Sequence, residues 1–235
     1  MRAQPAPPDL DSRRARIDGK PAARSQSSPW LIGAALVLVW GALTSCADKQ
    51  VTVRYRPDPT LARLPAPHAL TIFDFADQRG SEGDHDVFRV GGIYVGFGTR
   101  IVKVMTDTPW PRTLSSALTE AFAERGISAT NAYQAWAPGS TFATPLALAG
   151  EIQNFSTEFR LGTSAHISGV VRVSDRQGRI LVEKRISDKQ SWDTEMGGPM
   201  SDAALQATLN RALAGFVSKI VTDPDIDRVL TAPAR

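Results

Sequence analysis

The chain has one cysteine and three histidines in 235 residues. A single cysteine excludes an internal disulfide and every multi-cysteine metal centre. His68, His85 and His166 are scattered, and no His-Glu-x-x-His pair occurs. Gly-x-Ser-x-Gly elbows and Ser-x-x-Lys pairs are missing too. The sequence also lacks an apolar run of the roughly 20 residues that a membrane-spanning helix requires. Nor is the charge one-sided where it matters. Six of the 27 basic and three of the 24 acidic residues precede Cys46, which leaves 21 of each sign after it. The high sequence pI therefore belongs mostly to the leading segment, and a neutral remainder offers no basic surface for nucleic acid. A non-enzymatic protein with no cofactor and no bound metal is expected.

What the chain does have is a shorter apolar run that ends on that cysteine. Residues 30–43 hold 14 residues without a charge, and Leu43-Thr44-Ser45-Cys46 stands at its end. A run of about 7–15 apolar residues behind a basic flank fits a cleaved signal segment rather than a membrane span. The flank is Arg13, Arg14, Arg16, Lys20 and Arg24. The four residues resemble the bacterial lipobox: an aliphatic residue, two small ones, then cysteine. The resemblance implies cleavage between Ser45 and Cys46, a thioether-linked diacylglycerol on Cys46, and acylation of the new amino terminus. A thiolate is the soft nucleophile such alkylation needs. Acyl burial contributes about 0.8 kcal/mol per CH₂, so two or three chains hold where one does not. Ala47 comes directly after the cysteine, and by analogy with enterobacterial lipoproteins this implies the outer membrane, facing the periplasm. The partner this implies is the membrane, reached through the lipid on Cys46, together with another envelope protein or lipid.

Three segments are expected: a disordered leader with signal peptide over 1–45, a lipidated cysteine with a Pro-rich tether over 46–68, and one globular domain over 69–235. Pro57, Pro59, Pro65 and Pro67 keep the tether extended. The domain reads as α+β, a single periplasmic unit in which a mainly antiparallel sheet is packed by two long helices. Strands are expected over 69–75 and 127–130, a hairpin over 87–106, and a meander over 146–159, 164–174 and 179–191. Gly91-Gly92 marks a bulge or a kink, and Gly96-Phe97-Gly98 and Asp175-Arg176-Gln177-Gly178 mark turns. In the strand over 146–159, strict alternation sets Leu146, Leu148 and Ile152 on one face and Phe155 on the other. The first helix opens with Thr108 as N-cap and Pro109 in its first position, and Gly126 ends it. Leu114, Ala117, Leu118, Ala121 and Phe122 form its stripe. The second, over 202–221 with Ser201 as cap, carries Leu205, Leu209, Ala212, Leu213, Phe216, Val217 and Ile220.

Other features read as structure. Glu82, Asp84, His85 and Asp86 form a solvated loop without a second His or Cys at ligand spacing. Asp223, Asp225 and Asp227 open like a calcium loop, but Arg228 replaces the glycine that loop needs at its sixth position. His166 is expected on a polar strand face with no partner in register. Trp136 fits either the core or a binding surface.

In its order of lipobox, tether, strands, helix, meander, long helix and acidic end, the chain resembles the YajG-type outer-membrane lipoproteins. The residues that carry the likeness are the strand pair around Val170 to Ile186, the helix ALQATLNRALAGFVSKIV and the ending DPDIDRVL. That family carries no catalytic residues across. A related layout, in accessory lipoproteins of ABC-type lipid transport, implies an apolar groove near Trp136, Phe155 and Phe159.

Overall fold

The computed structural model describes residues 48–56, 60–64, 69–80, 86–95, 99–137, 140, 142–159, 163–192 and 202–232. The chain divides into two units, Met1–Ser45 and Cys46–Arg235, and the second is the folded domain. Its strands are β1 (Lys49–Val51), β2 (Leu70–Asp74), β3 (Ala76–Asp77), β4 (Arg89–Val95), β5 (Thr99–Thr106), β6 (Ala129–Ala135), β7 (Leu146–Phe159), β8 (Thr163–Asp175) and β9 (Ile180–Trp192). Its helices are α1 (Trp110–Glu124), α2 (Asp202–Val221) and α3 (Pro224–Thr231).

Strand β7 is the spine. Along one edge it pairs antiparallel with β8 over its whole length, and β8 pairs antiparallel with β9. Along the other edge three strands dock in series: β2 beside Leu146–Leu148, β3 beside Glu151 and Ile152, β4 beside Glu158 and Phe159, all parallel. Strand β6 adds to β2 and β1 adds to β5, again in parallel, while β4 and β5 form the hairpin. The expected mainly antiparallel sheet is therefore corrected to a mixed one. Parallel neighbours need a crossover between them. Helix α1 lies between β5 and β6 in the chain and carries the return.

The helices cover one face. Leu114, Ala117, Leu118, Ala121 and Phe122 of α1 are buried, and so is the whole expected stripe of α2. Both meet Leu70, Ile72, Phe75, Leu148, Ile152, Ile167 and Val171 in one core. Helix α3, the third, seats Ile226 and Leu230 there as well. A smaller cluster on the opposite face joins Phe73, Ala147 and Ala149 to Ala132, Trp136 and Phe142.

A bulge in β7 and the break after β2 decide which aromatics enter the core. The β7–β8 register slips between Ile152 and Asn154, so Gln153 is the extra residue. After it Phe155 falls on the same side as Ile152, not opposite as strict alternation gives. It stacks on Trp110, centroids 4.2 Å apart at 29°. In β2 plain alternation leaves Phe73 on the outer cluster, and Phe75, in the break between β2 and β3, turns inward. The slip between Arg89 and Gly91 matches the bulge expected there.

The helix ends obey local chemistry with one difference. The N-cap of α1 is Pro109, without a side-chain cap, and the helix starts at Trp110 rather than one residue earlier. The hydroxyl of Thr106 donates to the Thr108 carbonyl. At the far end Gly126 has φ 85, its N–H meets the Ala123 carbonyl at 2.9 Å, and Ile127 N–H meets that of Phe122 at 3.0 Å. This is the paired closure that a left-handed residue permits. At the β8–β9 turn Asp175 accepts from Gln177 N–H at 3.1 Å and Arg179 N–H at 2.9 Å. Strand β6 runs on to Ala135, through residues that read as loop in the sequence. The turn 96–98, Ser201, Glu82, Asp84 and His85 lie outside the described residues.

The segment expected as a tether is laid on the domain wherever it is described. Val51 and Val53 are buried at 6% and 7% exposure. Gln206 Nε2 donates to the Thr52 carbonyl at 2.7 Å, and Arg54 N–H donates to Asn210 Oδ1 at 2.9 Å. Leu64 N–H meets the Arg125 carbonyl at 2.8 Å. The β-branched alternation of Val51 and Val53 supplies two inward apolar contacts, enough to close a short edge strand onto β5.

Candidate functional site

Ser45 and Cys46, the cleavage and lipidation residues, lie outside the described residues, and the first described neighbours of Cys46 are Asp48 and Lys49. Lys49 opens β1 opposite Val104 and forms an ion pair with Asp202 at the start of α2. Asp48 accepts from Lys103 N–H at 3.3 Å. A cleft of about 360 Å³ lies beside this strand, lined by Asp48, Gln50, Phe88, Met105, Thr106 and Asp107. Asp107 there accepts from the Thr52 hydroxyl at 2.8 Å.

A second constellation sits where α1 crosses the ends of β2 and β6. Ser115 Oγ donates to Asp74 Oδ1 at 2.5 Å, and Asn131 Nδ2 donates to Ser115 Oγ at 2.9 Å. Arg112 Nε lies 3.6 Å from Asp74 Oδ2. Its guanidinium stands 5.8 Å from the centroid of Tyr133. Tyr133 is 62% exposed and holds φ 53, a left-handed backbone that bulky side chains avoid. The Asn131 side chain accepts from Tyr133 N–H at 2.7 Å and fixes that conformation. Strain of this kind concentrates at functional positions. Nothing in the local sequence ATNAYQA announces it apart from the asparagine two residues earlier.

The third lies on the open face of the meander. His166 Nδ1 is 2.9 Å from Asn154 Nδ2, and its Nε2 is 3.0 Å from Ser187 Oγ. The histidine expected to stand alone thus has two partners. Register opposes it to Ser156 and Lys189, so both contacts are diagonal, which alternation along a single strand cannot display. With the amide donating to Nδ1, Nε2–H is the donor toward the Ser187 hydroxyl. Ser187 is exposed in mid-strand.

The remaining charges serve packing. Arg172 bridges Glu151 at 2.6 Å and Glu183 at 2.5 Å, and those hydrogen bonds, Glu151 first, raise its already high pKa. Asp223 caps α3, accepting from Asp225 N–H and Ile226 N–H at 2.9 and 3.1 Å. Asp225 pairs with Lys184 and Arg228, and Asp227 pairs with Arg125. Each aspartate of the calcium-like run is therefore committed to a cap or an ion pair. Among the described residues no three His, Cys, Asp or Glu side chains gather as a metal site, and no helix is long and apolar enough to cross a membrane. Of the residues named for the apolar groove of the transport-type layout, Phe155 and Trp136 are placed on opposite faces of the sheet. Phe155 is in the core, and Trp136 packs on the outer cluster of the opposite sheet face.

No protein-family model matches the chain, and no curated protein does. Solved structures do. A Xanthomonas campestris protein of the DUF330 family is 15% identical, with a TM-score of 0.52 over 76% of this chain and 94% of its own. The minor lipoprotein of Acinetobacter baumannii is 10% identical, with a TM-score of 0.39 over 70% of this chain and 96% of its own. Lipoprotein GNA1162 of Neisseria meningitidis is 15% identical, with a TM-score of 0.36 over 67% of this chain and the whole of its own. The first shares the α+β fold described above.

Proposed function

We propose that the protein is a lipid-anchored lipoprotein of the bacterial cell envelope, held by Cys46 and facing the periplasm from the outer membrane. Its domain binds another envelope component and performs no chemistry of its own. The observation that carries this reading is the placement of Leu43-Thr44-Ser45-Cys46 between an uncharged run of 14 residues and a domain whose first strand starts at Lys49. A cysteine so placed is available for modification without disturbing the core. Kinship with the YajG-type lipoproteins is part of the same proposal. The surface offered to a partner is the strained, exposed Tyr133 with Arg112 beside it, since aromatic and arginine side chains dominate protein contacts.

The test is metabolic labelling with a palmitate analogue in cells expressing the full chain or its Cys46→Ala variant. Label in the first and none in the second is the expected result. Equal labelling of both would overturn the anchor. Crosslinked co-purification of the anchored form, repeated with Tyr133→Ala, then tests the partner surface: equal recovery of the same component rules Tyr133 out.

A further inference from the structure

We infer that the folded domain is seated directly on the phospholipid leaflet that holds its lipid, through the sheet end where β1 begins. This deepens the proposed function and rests on the anchor at Cys46. Only three peptide steps separate Cys46 from Lys49, and a fully extended chain covers at most about 3.6 Å per residue, or about 11 Å in all. The residues beyond Lys49 give no slack. Lys49 to Val51 pair with Val104 to Thr106, Val51 and Val53 are in the core, and Lys49 is tied to Asp202.

Register shows what lies at that end. From the level of Val104, β5 reaches back five residues to Thr99. At about 3.3 Å per residue that is roughly 16 Å. Cys46 can thus reach most of the way to the strand ends and stops about 5 Å short of them. Strand β4 ends beside Thr99, β7 ends at Phe159 opposite Ile93, and Phe159 pairs with Thr163, which pairs with Trp192. The ends of five strands and the start of α2 therefore share the anchor's level. Balanced charge after Cys46, 21 residues of each sign, makes polybasic attraction to anionic lipid a minor contributor. The opposite end of the sheet is the β8–β9 turn. It stands twelve residues of β8 away, roughly 40 Å.

The chain's single cysteine makes the test direct, because lipidation consumes its thiol. Full-length Asp202→Cys and Gln177→Cys variants, lipidated in cells, are labelled with a fluorophore and placed in phosphatidylcholine vesicles containing nitroxide-bearing lipid. Quenching several-fold stronger at 202 than at 177, unchanged by anionic lipid or about 1 M salt, is expected. A 20-residue Gly/Ser insertion after Ala47, with an end-to-end distance of about 25 Å, should abolish it. Absence of quenching at both positions means the domain stands off, and equal quenching means it lies flat; either overturns the seat. Flotation with the vesicles separates these results from failure of the anchor. If Cys46→Ser floats as well as the lipidated chain, the anchor reading itself is wrong.

Discussion

Arg125 closes on Asp227 through two parallel hydrogen bonds of 2.6 and 2.9 Å. The residues are 102 positions apart. The guanidinium is 4% exposed, and its Nε also donates to the Ala62 carbonyl at 3.1 Å. One side chain therefore joins the end of α1, the docked N-terminal segment and α3. A planar fork matches a carboxylate in a way lysine cannot.

Removing one partner of such a pair leaves a desolvated charge. Arg125→Met is expected to cost about 3 kcal/mol, a fall in melting temperature of about 6–12 °C for a domain of this size. Asp227→Asn keeps part of the hydrogen bonding and should cost less. The double variant Arg125→Met, Asp227→Leu should recover part of the loss. Thermal denaturation of all three checks this, and strict additivity would refute the coupling.

Gly150 is where β7 passes under Phe75. A Cβ built there meets the Phe75 ring at 2.3 Å and the Val170 carbonyl at 2.4 Å. Neither a packed ring nor a ladder carbonyl yields cheaply. Gly150→Ala should destabilise by about 2–3 kcal/mol through overpacking. Gly150→Ala combined with Phe75→Leu should regain part of it. Chemical denaturation with unchanged slope is the readout.

Tyr133 holds its left-handed backbone at a cost of about 1 kcal/mol. Tyr133→Gly should stabilise the isolated domain by somewhat less, since glycine also loses more freedom on folding. The same change should weaken capture of the envelope partner. Stability and capture moving in opposite directions would mark Tyr133 as retained for binding. Loss of stability in Tyr133→Gly would show that the ring and Arg112 hold the region together.

The ion pair of Lys184 and Asp225 joins β9 to α3. The hydrogen bond from Lys184 is the first cause holding the Asp225 carboxyl below the usual carboxylate range, and the same bond raises the Lys184 ammonium. A depressed acid stabilises the fold above its unfolded pKa and loses that contribution as pH falls through its folded one. The raised lysine contributes below its own unfolded pKa and loses it as pH rises through the folded value. The hydrogen-exchange protection of α3, taken relative to the intrinsic exchange rate at each pH, should therefore be greatest across the middle range and fall at both extremes. Lys184→Met should flatten the acid side. Both groups are at the surface, so about 1 M salt should weaken the effect.

The legible parts were those with local causes. The bounds of β7 and α2 coincide with those expected, 146–159 and 202–221. The Gly126 stop and the Asp175 turn are set by backbone and short side chains within a few residues. Alternation misplaced Phe155, because a bulge at Gln153 costs the sequence no signal yet swaps every later face. It also left Ser187 and Asn154 unseen around His166, since diagonal contacts depend on register between strands.

Sequence alone determined the placement of the lipobox-like tetrapeptide, the balanced charge beyond it, the apolar stripes of α1 and α2 and the antiparallel meander. Each rests on composition or on a period carried within one segment. Only the tertiary structure decided that the short strands join β7 in parallel and in series, that a bulge in β7 and the break after β2 choose the core aromatics, that Tyr133 is held in strain, and that residues 49–64, where described, are laid on the domain. These depend on which distant backbones meet and at what register, and a linear pattern carries neither.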